Sequence, residues 1–444
     1  MPGPVSAEAD TGTVAGNSLR MLGAQVAGNA GYFVSVLVLA RGLHPAERGA
    51  VAFVTVSALV ISCLASLGVA DATKVFAARR PPERPRLLSN VVLVSALGAV
   101  VGGVLACGAL LAWPQVRPSA VGRLELAAIA AGAVVGAIGL AGAAVLHGCS
   151  RFRTYSRLLA AGPWLYAVLV GAAWAGWGLT VDKAVVAWVV AQAVPACLFC
   201  AAAARVSGVG RPDLRLLAET MRYGLRAWLG GLAHLLNARL DQVLLGLLAS
   251  QAALGTYAVA VNASEILFYL PSAVATALLP AVARSGRSAG VEQTLRVFRA
   301  VVIVTLAAVL VAAVLGPLLL PLVFGAAYSG SVEPFLWLLP SAIGFVSSAV
   351  FSNALLASGA PALSSLGPVV SLAVGIGLDI VLIPRLGATG AAIAASSALL
   401  TGGAAAAAVY VLRVRLGPGA LVPRRADVAL LASLAIRRAG AKPS

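Results

Sequence analysis

The sequence predicts an all-α membrane protein with about twelve transmembrane helices, arranged as two parallel six-helix lobes around a central cleft. Three observations lead to this prediction: an apolar composition, a series of stretches of spanning length, and an internal repeat. Of the 444 residues, 60% are hydrophobic and 11% are charged. Soluble domains carry about 25% charged residues. A chain this apolar cannot cover its surface with polar groups, so much of that surface must face lipid.

Apolar stretches long enough to span a bilayer, about 17–25 residues, occur along the whole chain. The first six lie near residues 18–40, 49–73, 88–113, 124–148, 158–179 and 184–204. The second six lie near residues 227–249, 254–282, 300–324, 334–358, 365–384 and 389–412. The predicted organisation is a disordered tail (1–15), an N-lobe (16–205), a cytoplasmic linker (206–226), a C-lobe (227–412) and a basic cytoplasmic tail (413–444).

The distribution of basic residues predicts the orientation. Of the 32 Lys and Arg residues, 25 fall in segments on the same side as the N-terminus and 6 on the opposite side, while Arg239 lies within a span. Because cytoplasmic loops carry the excess of basic residues, both termini are predicted to be cytoplasmic. The expected location is the cytoplasmic membrane of a bacterium. The net charge of +17 therefore reflects membrane orientation, and no nucleic-acid partner is expected.

An internal repeat relates the two halves. Residues 49–79 and 255–284 align at Gly49 and Gly255, and each runs through an Ala/Val-rich span to a terminal arginine. Six spans per half is an even number, so both halves point the same way and their pseudo-twofold axis lies along the membrane normal. A cleft between two such lobes can open to each side in turn, which predicts transport.

Ionisable groups within spans are candidates for function because each costs about 2.5–3.5 kcal/mol at mid-membrane. In the seventh predicted span, His234, Asn237 and Asp241 share one helical stripe, while Arg239 and Gln242 lie on another. One stripe can line the cleft while the other packs against a neighbouring helix. The alternative for both stripes is a structural polar network that joins helices.

Glu265 can likewise be a functional or a structural residue. In the eighth predicted span it shares a face with Asn262 and Tyr269. Burial favours the protonated form of a carboxyl group, so Glu265 is a candidate coupling group. It is equally a candidate counter-ion for Arg239.

Further polar and charged residues lie in the first span and near helix ends. In the first span, Gln25, Asn29 and Tyr32 form a polar stripe. Arg20 stands at the cytoplasmic mouth of that stripe, either as a ligand contact or as a snorkelling residue. Near helix ends, we expect local ion pairs of Asp379 with Arg385 and of Asp71 with Lys74.

Several activities lack their sequence signatures. No phosphate-binding G-x-x-x-x-G-K-[ST] motif and no H-E-x-x-H motif occurs. The five cysteines lie in or beside apolar segments, where small packing residues are expected. We therefore expect no enzyme, no metal site and no cofactor.

Three stretches carry a family resemblance. They are V-L-A-R-G-L-H-P-A-E-R-G-A-V-A-F at 38–53 with L-A-S-L-G-V-A-D-A at 64–72, R-L-D-Q-V-L-L-G-L-L-A-S-Q-A-A-L-G-T-Y-A-V-A at 239–260, and L-I-P-R-L-G-A-T-G-A-A-I-A at 382–394. Together they resemble the polysaccharide flippase (Wzx-type) family of the multidrug/oligosaccharidyl-lipid/polysaccharide exporter superfamily. His44 and Arg48 depart from the pattern, because Gly and Phe are commoner at those positions.

The resemblance implies a flippase that carries a lipid-linked oligosaccharide, on an undecaprenyl-pyrophosphate-type lipid, from the inner to the outer leaflet for cell-surface polysaccharide biosynthesis. The residues proposed for substrate binding are Arg239, Asn237, Arg20, Gln25 and Asn29, and those for ion coupling are Glu265 and Asp241. The implied partners are membrane lipids, a coupling proton or sodium ion, and polysaccharide polymerase machinery. The alternatives are a drug or cation exporter of the same superfamily and a non-transporting membrane scaffold.

The predicted orientation can be tested with reporter fusions. A reporter placed after Gly210 should lie in the cytoplasm and one placed after Ser329 should lie outside, because the basic bias puts these two loops on opposite faces. Alkaline phosphatase and green fluorescent protein fusions report the two compartments. Finding both positions on one side would contradict the arrangement of two six-span repeats.

Overall fold

The computed structural model describes residues 14–114, 121–284 and 287–422. Within these ranges the chain forms helices and no strands, so the predicted all-α class is confirmed. The first eight α-helices are α1 (Val14–Gly42), α2 (Pro45–Ala65), α3 (Val69–Arg79), α4 (Arg84–Ala112), α5 (Arg123–Gly148), α6 (Phe152–Trp177), α7 (Val181–Ser207) and α8 (Leu214–Leu248). The remaining seven are α9 (Gln251–Ser264), α10 (Ile266–Arg284), α11 (Arg287–Phe324), α12 (Val332–Leu338), α13 (Ser341–Ala357), α14 (Pro361–Ser364) and α15 (Leu366–Val414). The predicted tails lie largely outside the described residues.

Eight helices in the described ranges are long and apolar enough to cross a membrane, or ten if each of two bent pairs is one span. One pair, α9 and α10, is bent by 43° at Glu265. The other bend, of 47°, precedes α13 at Pro340, which has no N–H to continue the hydrogen-bond ladder. The eighth and tenth predicted spans are therefore broken helices, and the count of twelve crossings stays a prediction.

The last two predicted spans lie on one 49-residue helical segment, α15. Its backbone leaves helical geometry at Gly387, where φ is 55° and ψ is −128°. A residue with a Cβ rarely adopts a positive φ, so glycine permits this break. Pro384 lies three residues earlier and removes one helical hydrogen-bond donor. The break falls between the predicted spans 365–384 and 389–412.

The chain divides into two compact units. Unit 1 contains Met1–Leu235 and Gly246–Gly255, and unit 2 contains Leu236–Leu245 and Thr256–Ser444. The division falls within α8, and the predicted linker 206–226 groups with unit 1. An alanine cluster fills part of the unit 1 core, where small side chains let helices approach closely. A cluster in the core of unit 2 includes Phe298, Phe351 and Tyr410. The ring centroids of Phe298 and Phe351 are 4.6 Å apart, and those of Phe351 and Tyr410 are 5.1 Å apart.

Gly49 and Gly255, which the internal repeat aligns, contact each other's helix in unit 1. A Cβ atom on Gly49 would collide with the carbonyl of Gln251, and a Cβ atom on Gly255 would collide with the carbonyl of Pro45. Each of these carbonyls lies four residues before the other glycine, so the contact is reciprocal. The first turns of α2 and α9 thus meet backbone to backbone.

Hydrogen bonds and an ion pair connect the start of α8 to the residues between α3 and α4 and to α4 itself. Arg80 holds Glu219 through two hydrogen bonds of 2.9 and 2.6 Å. Asn90 and the backbone of Asp213 exchange two bonds of 2.9 Å. The backbone N–H of Leu216 lowers the pKa of Asp213, and the hydrogen bond from Arg80 lowers the pKa of Glu219. The bonds to the carboxylates of Asp213 and Glu219 are therefore intact at neutral pH and weaken as pH falls through the lowered pKa values.

The glycine contact generates a stability prediction. Gly49→Ala should destabilise unit 1 by about 1–3 kcal/mol, because the colliding atoms are backbone and cannot move aside as a flexible side chain would. Gly171→Ala is the matched control, since a Cβ there meets nothing within 4 Å. That control should be neutral or slightly stabilising, as alanine is the better helix former. Melting temperatures of the purified variants compare the two, and equal values would contradict the prediction.

Candidate functional site

A small polar cavity lies within unit 2, between α8 and α15. Asn237 and Asp241 from α8 and Asp379 from α15 supply its polar wall. Its other lining residues are Leu236, Leu240, Leu372, Gly375, Ile376, Ala395, Ala398 and Leu399. The cavity volume is about 20 Å³, which accommodates about one water molecule. A cavity of this size suits a water or a small ion and excludes a lipid head group.

Asp379 is buried in this cavity wall. Its side chain is 4% exposed, and its Oδ1 atom has no hydrogen-bond partner among the described residues. The predicted local pair with Arg385 is wrong, because Arg385 is exposed while Asp379 is buried, and the described residues show no ion pair between the two. Six residues correspond to about 240° around a helix, so the two side chains leave on different faces. By contrast, the predicted pair of Lys74 with Asp71 is confirmed at 2.7 Å.

Asp241 is also buried and is held by two donors. The hydroxyl of Tyr257 on α9 donates to its Oδ2 atom, and the backbone N–H of Gln242 donates to its Oδ1 atom at 2.7 Å. The amide of Asn237 donates to the carbonyl of Pro368 at 2.7 Å, which joins α8 to α15. Asn237 and Asp241 thus share a stripe as predicted, and that stripe faces the cavity within unit 2.

Arg239 pairs with Glu265. Their Nη1 and Oε1 atoms are 2.6 Å apart, and each side chain is 23% exposed. Glu265 stands at the break between α9 and α10, so the bend presents its carboxylate to α8. The sequence left open whether Glu265 couples an ion or is the counter-ion of Arg239. In the structure Glu265 is the counter-ion of Arg239. Removing either Arg239 or Glu265 would leave the other charge partly buried and unpaired, which destabilises the folded protein.

The remaining predicted residues lie in unit 1. Gln25 is exposed and Asn29 is half-buried on α1, while His234 is exposed on the unit 1 part of α8. The side chain of Arg20 lies outside the described residues. The structure therefore brings together Asn237, Asp241, Arg239 and Glu265 within unit 2, whereas Gln25 and Asn29 belong to unit 1.

Sequence reasoning missed two contributors to the site, Asp379 and Tyr257. Tyr257 belongs to the L-G-T-Y part of the stretch that carries the family resemblance, so a signal for it was available. For Asp379, the spacing to Arg385 predicts a local ion pair and therefore does not mark the residue as part of a site. Among the described residues, no group of three or more His, Cys, Asp and Glu side chains has the arrangement of a metal site.

A family model described as "Polysaccharide biosynthesis protein" matches residues 38–333, more than half of the 444-residue chain. The chain belongs to this polysaccharide biosynthesis family. The resemblance found in the sequence is therefore confirmed at the level of the family. No curated protein sequence matches the chain.

Solved transporters share the fold of this polysaccharide biosynthesis protein. An inward-facing multidrug resistance MATE transporter of the MOP superfamily superposes with a TM-score of 0.67 at 17% identity, covering 87% of this chain and 94% of its own. The lipid II flippase MurJ, in an inward closed conformation, superposes at 0.68 and 10% identity, covering 96% and 93%. A MOP superfamily transporter from Pyrococcus furiosus gives 0.54 at 17% identity, covering 90% and 94%. The protein is thus a multi-pass membrane protein with the MOP transporter fold.

Proposed function

We propose that this protein is a flippase that moves a polyprenyl-pyrophosphate-linked oligosaccharide from the inner to the outer leaflet of a bacterial cytoplasmic membrane by alternating access. The observation that carries the proposal is the family match over residues 38–333. The fold supports it, because a lipid II flippase has the same architecture. The cargo would then serve cell-surface polysaccharide biosynthesis, where a polysaccharide polymerase is the natural partner.

Arg239 is the residue proposed to receive the head group. A pyrophosphate that leaves water needs a replacement positive charge, and a guanidinium holds phosphate oxygens through two parallel hydrogen bonds. Arg239 and Glu265 are each partly exposed, so the pair is accessible to exchange. In this proposal Glu265 neutralises Arg239 in the empty transporter, and a phosphate replaces Glu265 when substrate binds. Asn237 stands on the same helix, two residues away.

Asp241 and Asp379 are proposed to couple transport to an ion. Both are buried and both line the same small cavity. Two carboxylates that share a site resist ionising together, so a proton or a small cation stabilises the pair. The Oδ1 atom of Asp379, which no described group contacts by hydrogen bonding, is available to that ion.

The same acids favour a second candidate function, the export of an organic cation. Two neighbours by fold are multidrug transporters or their relatives, and buried carboxylates suit a cationic cargo. The small cavity does not separate the two candidates, because about 20 Å³ holds a water or an ion and neither a drug nor a lipid head group. The transport assay with Arg239 variants distinguishes the two, since a cation exporter has no need of a phosphate-binding arginine.

Arg239→Gln should abolish head-group translocation, because it deletes the charge while keeping hydrogen-bonding capacity. Arg239→Lys should retain part of the activity, since it keeps the charge and loses the planar fork. The measurements are surface polysaccharide in a deletion strain at equal protein level, and translocation of a lipid-linked oligosaccharide in proteoliposomes.

Arg385→Gln is the matched control, because it removes an exposed arginine from the same unit. It should export as the wild type does. Wild-type export by a well-expressed Arg239→Gln protein would remove Arg239 from the binding site and leave it as a packing residue.

Asp379→Asn should abolish the dependence of transport on an imposed proton or sodium gradient while head-group binding stays within about twofold. The reason is that the amide keeps the size of the side chain but cannot hold a proton or balance a cation. Asp71→Asn, which removes the exposed partner of Lys74, is the control. An unchanged gradient dependence in Asp379→Asn would exclude this cavity from coupling.

A further inference from the structure

Two helices of unit 2 meet at Glu265 at an angle, and an ion pair connects that junction to a third helix. α9 ends at Ser264 and α10 begins at Ile266, with a bend of 43° between them. The Nη1 atom of Arg239 on α8 lies 2.6 Å from the Oε1 atom of Glu265, the residue at the junction. A charge-assisted hydrogen bond therefore joins the bend to the unit 2 part of α8.

The backbone hydrogen bonding around the junction is irregular. The carbonyl of Val261 accepts both the N–H of Glu265 at 2.9 Å and the hydroxyl of Ser264 at 3.0 Å, an arrangement that bends helices. The carbonyl of Glu265 accepts the N–H of Phe268, only three residues further on, at 2.9 Å. Pro271 has no N–H and cannot bond to the carbonyl four residues before it. A regular helical ladder therefore does not fix the angle between α9 and α10.

Beyond the junction, α10 packs against α13. Phe268 of α10 stacks on Phe345 of α13, with ring centroids 4.5 Å apart and planes inclined by 10°. Ala275 of α10 and Val350 of α13 belong to the same buried cluster. These contacts are apolar, so they do not depend on the charge state of Glu265 or on an anion. α10 is thus held to α13 by packing and to α8 by an ion pair.

We propose that the Arg239–Glu265 pair is a conformational switch operated by the cargo. A phosphate that binds Arg239 displaces the carboxylate of Glu265, and α10, together with α13, then moves away from α8 about the junction. The inference rests on the proposed binding of a pyrophosphate head group to Arg239. Each side chain of the pair is 23% exposed, so an anion can reach it. Carboxylate and phosphate are both negative, so they repel each other once the phosphate holds the guanidinium.

The two states of the switch differ in what Arg239 contacts. In the closed state Glu265 occupies the guanidinium, as the structure shows. In the open state the guanidinium is available to a phosphate. A ligand shifts a conformational equilibrium only by binding one state better than the other, and a phosphate meets that condition here. The residue that neutralises Arg239 in the empty transporter thereby makes the helix angle depend on the cargo.

The test measures the distance between α8 and α10 in the full chain, in phosphatidylcholine nanodiscs, by double electron–electron resonance. The five native cysteines are replaced, and spin labels are attached to Ala238→Cys and Ala273→Cys, at two exposed positions. Inorganic pyrophosphate should lengthen this distance by about 4 Å, because Ala273 lies about 12 Å along α10 from the junction and a turn of about 20° moves it that far. The distance between labels on Ala273→Cys and Ser358→Cys should stay constant, since α10 remains packed on α13.

The variants test the ion pair itself. Glu265→Ala should show the longer α8–α10 distance without pyrophosphate, and pyrophosphate should lengthen it no further. The double variant Arg239→Gln/Glu265→Ala should show the same distance and leaves no unpaired charge, so it serves if the single variant does not fold. Arg385→Gln, which removes an exposed arginine of the same unit, should respond to pyrophosphate as the wild type does.

The outcomes separate the switch from the binding of the head group. Pyrophosphate binding is read as a rise in melting temperature, since a ligand of the folded state stabilises it. Binding without a longer α8–α10 distance would overturn the switch and leave head-group binding intact. Absence of binding to the wild type would overturn the proposed role of Arg239, and with it control of the helix angle by the cargo. An unchanged distance in both Glu265 variants would show that the ion pair does not set the angle.

Discussion

A charge inside an apolar helix bundle needs an opposite charge or a full set of hydrogen bonds nearby, since lipid and packed side chains screen it poorly. This requirement shapes the polar interior of the protein. Arg239 is balanced by Glu265 at 2.6 Å. Asp241 is held by Tyr257 and by a backbone N–H. Asp379 is buried, and its Oδ1 atom has no hydrogen-bond partner among the described residues.

Close approach of backbones is the second constraint. Between helices in lipid there is little hydrophobic driving force, so contact area and small residues decide the packing. The reciprocal contact of Gly49 and Gly255 in unit 1 follows this rule, and so does the approach of Gly344 to Gly403 in unit 2. The contact of Gly49 with Gly255 also involves the internal repeat, because the two glycines that the repeat aligns are the positions where the two helices meet.

Fold and family answer different questions here. A multidrug transporter and a lipid II flippase superpose about equally well, so the architecture alone does not select a cargo. The family match over residues 38–333 narrows the biological role to polysaccharide biosynthesis. In the proposed mechanism, Arg239 binds the phosphate of the cargo and the separate acid-lined cavity binds an ion, so the two tasks fall to different residues.

The sequence by itself determined the fold class, the positions of the apolar segments and the family. These properties follow from composition, hydrophobic length and local motifs, all of which are contained in short stretches of chain. It also placed Asn237 and Asp241 on one stripe, because helical periodicity is local. Only the tertiary structure decided which partners these residues meet. The bend at Glu265, the hydroxyl of Tyr257 on Asp241, and the burial of Asp379 depend on segments far apart in the chain, whose approach no local spacing encodes.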